Sequence, residues 1–385
     1  MTSPAHRRIR VVIAGGGYAG LASLITLRRR DPSADLVLID PAEAHLRLPR
    51  LHESLRRPMA ELRVPFALIA HRFQCRHVRA ALEFDEDALS RLQRERRILL
   101  EGRPIDFDYL ILATGHRPAA PSTTGSVNLD TFRHGEGRYL VKELLSRTSP
   151  PRRIVTFVGG GPTGLQFLFE LSGIIRGWRE RFGLELQLRL VHDEELPLNG
   201  FPPAFGQYAL ECMAREGIEY VGNAVYQGRT ETGRIVLRDR PAGTSFTLPS
   251  QVEWLFTGCA PNPMKIRTNP FGQVVLAHGT LGRIFAAGDC SEYEGSGSNR
   301  ASVLAAIHKG KRVAENLLRL ANHVTDMKPY WYTETTHVVP LGESDGIASL
   351  TAHGPIVTGW AARLVFEAQE GRQDLFLSGY DTYGD

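Results

Sequence analysis

The chain has 385 residues, 42% of them hydrophobic and 23% charged, with a net charge of +4 at pH 7. That length suits two or three domains, and so small a charge on it gives no nucleic-acid footprint. No run of about 18 apolar residues marks a membrane span, and Cys75, Cys212, Cys259 and Cys290 form no closely spaced pair, which argues against a redox dithiol and a cysteine-ligated metal site.

In chain order, the apolar run Ile9–Ala14 leads into Gly15-Gly16-Gly17-Tyr18-Ala19-Gly20. This reads as strand, tight turn and helix, the helix running from about Tyr18 to Arg30 until Asp31-Pro32 breaks it. The strand Asp35–Ile39 follows and ends at Asp40, about 20 residues past the turn, where an acid can hold a ribose hydroxyl. Residues 41–66 read as irregular. Residues 73–103 alternate as a meander or hairpins. The strand Phe107–Leu112 ends in Ala113-Thr114-Gly115, and residues 116–150, rich in Pro, Ser, Thr and Gly, read as a connection.

A second copy of the fingerprint, Gly159-Gly160-Gly161-Pro162-Thr163-Gly164, follows Ile154–Val158 about 140 residues after the first. Its helix is expected over about Thr163 to Arg181 and its next strand over Leu186–Val191, ending at His192-Asp193. Val252–Phe256 ends in Thr257-Gly258, and a short strand over 282–287 ends in Gly288-Asp289. A helix is expected from about Asn299 to Ala321. In the last 60 residues Ile356, Val357, Trp360, Ala361, Leu364 and Val365 recur at helical spacing, so a helix near 355–368 is expected with one apolar face. Each fingerprint offers a dinucleotide pyrophosphate a turn free of Cβ atoms and the backbone N–H groups of a helix N-terminus. Two of them suggest two dinucleotides in one protein, held so that electrons pass between them.

Gly15/Gly17/Gly20, Asp40, Ala113-Thr114-Gly115, Gly159/Gly161/Gly164, Thr257-Gly258 and Gly288-Asp289 stand in the order found in flavoproteins with two dinucleotide-binding domains. Over about residues 9 to 320 the chain resembles type II NADH dehydrogenases and the related apoptosis-inducing-factor-like NAD(P)H oxidoreductases, members of the pyridine nucleotide-disulfide oxidoreductase superfamily, here without the dithiol. The resemblance implies an α/β fold of two Rossmann-like domains and a small C-terminal domain. An FAD domain would span 1–120 and 265–325, an NAD(P)H domain 150–262, and the C-terminal domain 326–385.

The resemblance further implies that Gly15, Gly17, Tyr18, Ala19 and Gly20 bind FAD, with Asp40 on its adenosine ribose, His45 close by and the Val78 backbone at the adenine. Ala113, Thr114 and Gly115 belong to the same site, Gly288-Asp289 would take the ribityl and pyrophosphate part, and the helix opening at Ser302, Val303 and Leu304 would aim at the flavin ring. NADH or NADPH would lie on Gly159, Gly161, Pro162, Thr163, Gly164, His192 and Gly258. Gln166 stands where type II dehydrogenases usually carry a glutamate near the nicotinamide. His308 and Lys309, on the helix after the flavin aspartate, are the candidate proton donors or stabilisers of negative charge, against the plainer reading of exposed helix positions.

The expected function is thus an FAD-dependent NAD(P)H oxidoreductase whose small acceptor is a quinone. The alternatives are oxygen, a sulfur species or a pathway-specific metabolite as acceptor, or a dinucleotide-bound regulatory protein with slow turnover. A cytoplasmic setting is expected, because the cysteines are scattered and no apolar run precedes the first strand. The C-terminal helix is open to core packing, a homodimer contact or peripheral contact with the inner face of a membrane.

Overall fold

The computed structural model describes residues 8–119, 126–135, 137–146, 153–182, 186–295, 299, 301–351 and 354–383. Strand β1 (Arg10–Ala14) leads into helix α1 (Tyr18–Arg30), then come β2 (Asp35–Ile39), β3 (Arg76–Val78), β4 (Tyr109–Leu112) and β5 (His116–Pro118). Strand β6 (Ser126–Asn128) and the short helix α2 (Leu129–Arg133) precede β7 (Arg153–Val158), α3 (Pro162–Phe182), β8 (Leu186–Val191), β9 (Glu219–Val221), β10 (Val252–Leu255) and β11 (Cys259–Pro261). The chain closes with β12 (Gly279–Ala286), α4 (Val303–Ala321) and α5 (Gly359–Leu377).

Two parallel sheets form the frame. In the first, β12, β4, β1, β2 and β3 lie side by side, all parallel, with short strands over residues 266–268, 273–276 and 291–293 extending the β12 edge. In the second, β6, β10, β7, β8 and β9 lie in that order, again all parallel. The architecture is therefore α/β with two Rossmann-type units. Strand β6 belongs to the second sheet, so the segment expected as a plain connection already contributes to that unit.

Side-chain alternation along β1 shows how the first sheet is buried on both faces. Val11 and Ile13 join a core with Leu21 and Leu24 of α1 and Ile307 and Val313 of α4. Val12 and Ala14 face the other way, onto Leu110, Leu112, Leu89 and Ile98. Helices α1 and α4 touch closely, because Ser23 Oγ donates to Ala19 O and to Gly310 O, both at 3.0 Å. In the second unit Phe132, Phe157, Phe167 and Trp254 form one aromatic cluster at the core.

Three expectations are corrected here. Residues 73–103 contain a helix, Glu86–Glu95, capped where Asp85 Oδ1 accepts from Ala88 N at 2.8 Å, and the expected hairpin is confined to Arg97–Leu100 paired with Arg103–Asp106. The cap and the first-turn acids Glu86 and Asp87 favour helix over a meander. The C-terminal helix starts at Gly359, and Ile356 and Val357 lie in a strand, Ile356–Thr358. Its buried face carries Ala362, Phe366, Glu370, Gln373, Phe376 and Leu377, while Trp360 and Leu364 are 70% and 56% exposed. A further helix over Pro203–Glu216 and a three-stranded antiparallel sheet over 224–249, neither expected, complete the second unit.

Candidate active site

The register of the first sheet explains why motifs far apart in sequence meet. Ala14 pairs with Ile39 and with Leu112, and Leu112 pairs with Ala286. The residues that follow those strand ends, Gly15, Asp40, Ala113-Thr114-Gly115 and Gly288-Asp289, therefore form one rim. In an open parallel sheet this carboxyl edge is where ligands bind. The second sheet repeats the arrangement, with Val158 paired to Val191 and to Leu255, so that Gly159, His192 and Phe256-Thr257-Gly258 share its edge.

The two glycine turns have the same geometry. Gly15 sits at φ +109° and Gly159 at φ +108°, a region only glycine enters readily. A Cβ on Gly15 would collide with the Ala113 carbonyl, and one on Gly159 with the Phe256 carbonyl. Each turn is tied to the end of the next strand. Gly16 N donates to Asp40 Oδ2 at 2.6 Å. In the second copy Gly160 N donates to His192 Nδ1 at 3.2 Å, so His192 does the bracing that Asp40 does in the first. Burial lowers the His192 pKa, against the pull of Asp193, whose Oδ1 stands 3.1 Å from the same Nδ1. Asp40 Oδ1 also accepts from Ala42 N at 2.8 Å, and burial raises this carboxyl while the two backbone amides oppose the shift.

A cavity of about 530 Å³ lies between the two units, within the size range of ligand sites. Gly15, Gly17, Tyr18, Ala19, Asp40, His45, Ala113, Thr114, Gly115, Gly288, Asp289, Ser302 and Val303 line it from the first unit. Thr163, Gln166 and Gly258 line it from the second. Three helix N-termini thus reach one space: that of α1 at Gly17, of α3 at Thr163 and of α4 at Ser302 and Val303. The first turns of α1, α3 and α4 carry no acidic side chain, so their dipoles and free N–H groups favour an anion.

Two features fit a dinucleotide. A Cβ built on Gly17 or on Gly161 meets nothing within 4 Å, so the protein itself does not demand glycine there, whereas a ligand lying against the turn does. His45 is buried, donates from Nδ1 to Gly16 O at 2.9 Å, and leaves Nε2 without a partner among the described residues. Burial pushes its pKa down to about 4, so Nε2 is an acceptor at neutral pH. The Tyr18 ring stands edge-on to it at 4.6 Å.

Other expected residues stand back from the cavity. Gly20, Gly159, Gly161, Pro162, Gly164 and His192 shape or flank the turns without lining it. The Val78 carbonyl accepts from Asp40 N at 3.1 Å, and Leu304 packs partly on the α1–α4 core. His308 and Lys309, expected as candidate proton donors or exposed helix positions, do not line the cavity. They lie one to two turns into α4, facing the protein. His308 stacks on Tyr332 at 4.1 Å, and burial pushes its pKa down to about 4. Lys309 is 2% exposed, its Nζ donating to Ser291 O at 3.0 Å and Asn299 Oδ1 at 3.1 Å over the Tyr293 ring. Burial pushes this amine down to about 8. Among the lining residues that went unnoticed in the sequence are two with ionisable side chains, His116 and Arg133. His116 directly follows Ala113-Thr114-Gly115, a proximity that could have flagged it, whereas Arg133 lies in the stretch that reads as a connection.

Residues 9–310 match the family described as pyridine nucleotide-disulphide oxidoreductase. The chain belongs to that family. It is similar to the type II NADH:quinone oxidoreductase of Staphylococcus epidermidis, 24% identical over 404 residues covering 97% of each chain. It is similar also to that of Staphylococcus aureus strain NCTC 8325, 23% identical over 376 residues covering 89% of this chain and 90% of the relative. Among solved structures, NDH2 of Plasmodium falciparum in complex with NADH superposes with a TM-score of 0.76 at 12% identity, covering 98% of this chain and 97% of that one. The sulfide:quinone oxidoreductase of Aquifex aeolicus gives 0.76 at 16% identity, covering 96% and 91%. These likenesses establish the Rossmann-type flavoprotein fold, and the family makes the protein a flavoenzyme oxidoreductase. Its four cysteines are all free, and among the described residues no His, Cys, Asp and Glu cluster could hold a metal.

Proposed function

We propose that the protein is an FAD-dependent NAD(P)H:quinone oxidoreductase. The observation that carries this reading is the convergence of three helix N-termini on one cavity, with the first glycine turn in its wall and Thr163 and Gln166 reaching it from the helix after the second turn. Bound FAD would supply the two-electron chemistry, taking hydride from NAD(P)H and passing electrons to the acceptor. The chain's own residues bind and orient. Gly15, Gly17 and the α1 N-terminus hold the FAD pyrophosphate, Asp40 the adenosine ribose and Asp289 the ribityl chain. The α4 N-terminus at Ser302 supports negative charge on the ring. Gly159, Gly161 and the α3 N-terminus hold NAD(P)H, with Thr163 and Gln166 on the nicotinamide side. His308 and Lys309 serve as packing positions that fix α4 and the segment after Asp289.

The quinone follows from the names of the sequence relatives and from the apolar face the protein presents. Trp360 and Leu364, one turn apart on α5, are exposed, as are Leu350 and Ile356 a few residues before that helix, apolar surface suited to a membrane where quinones reside. No helix among the described residues is long and apolar enough to cross a membrane, so such contact would be peripheral. Anaerobic titration of the flavin-loaded protein with NADH and, separately, NADPH tests the core of the reading. Bleaching of the visible band and its return on adding a water-soluble quinone are expected. A flavin band that neither coenzyme bleaches overturns it.

A further inference from the structure

Asp289, the residue expected to hold the flavin chain, is not alone at the cavity wall. His116 Nδ1 lies 2.6 Å from Asp289 Oδ2, and His116 Nε2 lies 3.2 Å from a terminal nitrogen of Arg133. The order of protons along this line is decided by chemistry. A guanidinium has donors only, so His116 Nε2 must present its lone pair to Arg133. The ring proton is then on Nδ1 and is donated to the Asp289 carboxylate. The line reads Arg133, donor to neutral imidazole, donor to carboxylate.

Each member comes from a different part of the fold. Asp289 follows β12 of the first sheet and His116 opens β5, directly after Ala113-Thr114-Gly115. Arg133 closes α2, which follows β6 of the second sheet. Arg133 is held in turn, its side chain donating to Asp130 Oδ1 at 3.3 Å and its carbonyl accepting from Arg63 at 2.6 Å. All three side chains are largely buried, with exposures of 13% for His116, 19% for Asp289 and 22% for Arg133, and all three line the cavity. Among the described residues no hydrogen bond reaches Asp289 Oδ1, which stays available to a ligand hydroxyl.

We propose that His116 is a positioning residue for the flavin: with its tautomer set by Arg133, it holds Asp289 Oδ2 so that Oδ1 meets the ribityl hydroxyls of FAD. The inference rests on the reading of this cavity as the FAD site. It adds that the second unit, through Arg133, takes part in fixing a cofactor carried mainly by the first. A carboxylate facing both a polyol and a pyrophosphate also gains from a line that ends in a positive charge, because repulsion of the phosphates is reduced.

The test is FAD dissociation, followed by flavin fluorescence, for wild type, His116→Ala, His116→Asn and Arg133→Met, with the thermal midpoint of each apo protein measured alongside. Loss of one charge-assisted hydrogen bond should raise the Kd of His116→Ala about ten- to a hundred-fold. His116→Asn keeps an N–H donor near the position of Nδ1 and should recover most of that loss. Arg133→Met frees both ring tautomers and should weaken binding by a smaller factor while the apo midpoint holds. Unchanged affinity in both His116→Ala and Arg133→Met overturns the positioning role and leaves the FAD site intact. Equal loss in the Ala and Asn variants overturns it also, since a role that donor rescue does not touch is packing. Failure of the wild-type protein to bind FAD overturns the underlying site reading.

Discussion

Gly17 and Gly161 separate a ligand's demand from the fold's. Their neighbours Gly15 and Gly159 are glycine because carbonyls of the adjacent strand loops leave no room, but nothing in the protein crowds Gly17 or Gly161. A side chain at either should therefore cost affinity more than stability. Gly161→Val is expected to weaken NAD(P)H binding about ten-fold or more with FAD retained, read from the coenzyme dependence of flavin reduction in stopped flow. Asp289→Ala is expected to release FAD, read from the visible spectrum after gel filtration, and full flavin retention would sink its assignment. His45 adds a pH dependence whose sign is fixed by burial. Above about pH 6.5 the ring is neutral in folded and unfolded chains alike. Between 6.5 and about 4 the unfolded chain binds the proton and the folded one does not, so stability falls as pH falls across that window. His45→Asn should flatten the slope of melting temperature against pH there.

Among the elements, α5 shows how far helical periodicity reaches. Its apolar residues were legible, but which of them face the core was not, because the buried stripe includes Glu370 and Gln373 while Trp360 and Leu364 point out. Burial pushes the Glu370 carboxyl up to about 7 against the pull of Arg50. A polar side chain in a buried stripe hides the stripe from any hydrophobic pattern. Replacing Trp360 and Leu364 with serine should abolish co-sedimentation with anionic lipid vesicles and leave flavin reduction by NADH unchanged. If the wild type fails to sediment but dimerises through this face, the double variant should instead run as a monomer, and the membrane proposal falls. Helix α4 shows the converse. Its start was expected near Asn299 and lies at Val303, where Ser302 Oγ accepts from Ala305 N at 3.1 Å, an ordinary N-cap.

At the scale of the whole molecule, a buried charge cluster joins parts that no motif links. Arg50 pairs with Glu53 at 2.8 Å and also with Glu367 and Glu370 of α5, while Arg56 pairs with Glu170 of α3. Glu53 is 1% and Glu370 4% exposed. Arg50→Met takes a cation from Glu53 and Glu370, and because Glu53 keeps Arg57 at 3.5 Å and Arg363 at 3.6 Å, the variant should destabilise by about 1.5–3 kcal/mol, seen as a lowered denaturant midpoint with an unchanged slope. Because the cluster ties residues 48–57, which flank the cavity, to both α3 and α5, the same variant should also loosen FAD.

The sequence by itself determined both glycine turns, the two Rossmann-type units and the strand-end residues Asp40, Thr114, Gly258 and Asp289, because a turn that must clear a phosphate and a strand that must be buried on both faces leave local, periodic marks. Only the tertiary structure decided which side chains share the cavity. His116 and Arg133 enter it, and His308 and Lys309 turn away from it, according to how β5, α2 and α4 pack. A helix or loop residue's direction is set by what covers its neighbours, and no local pattern records that.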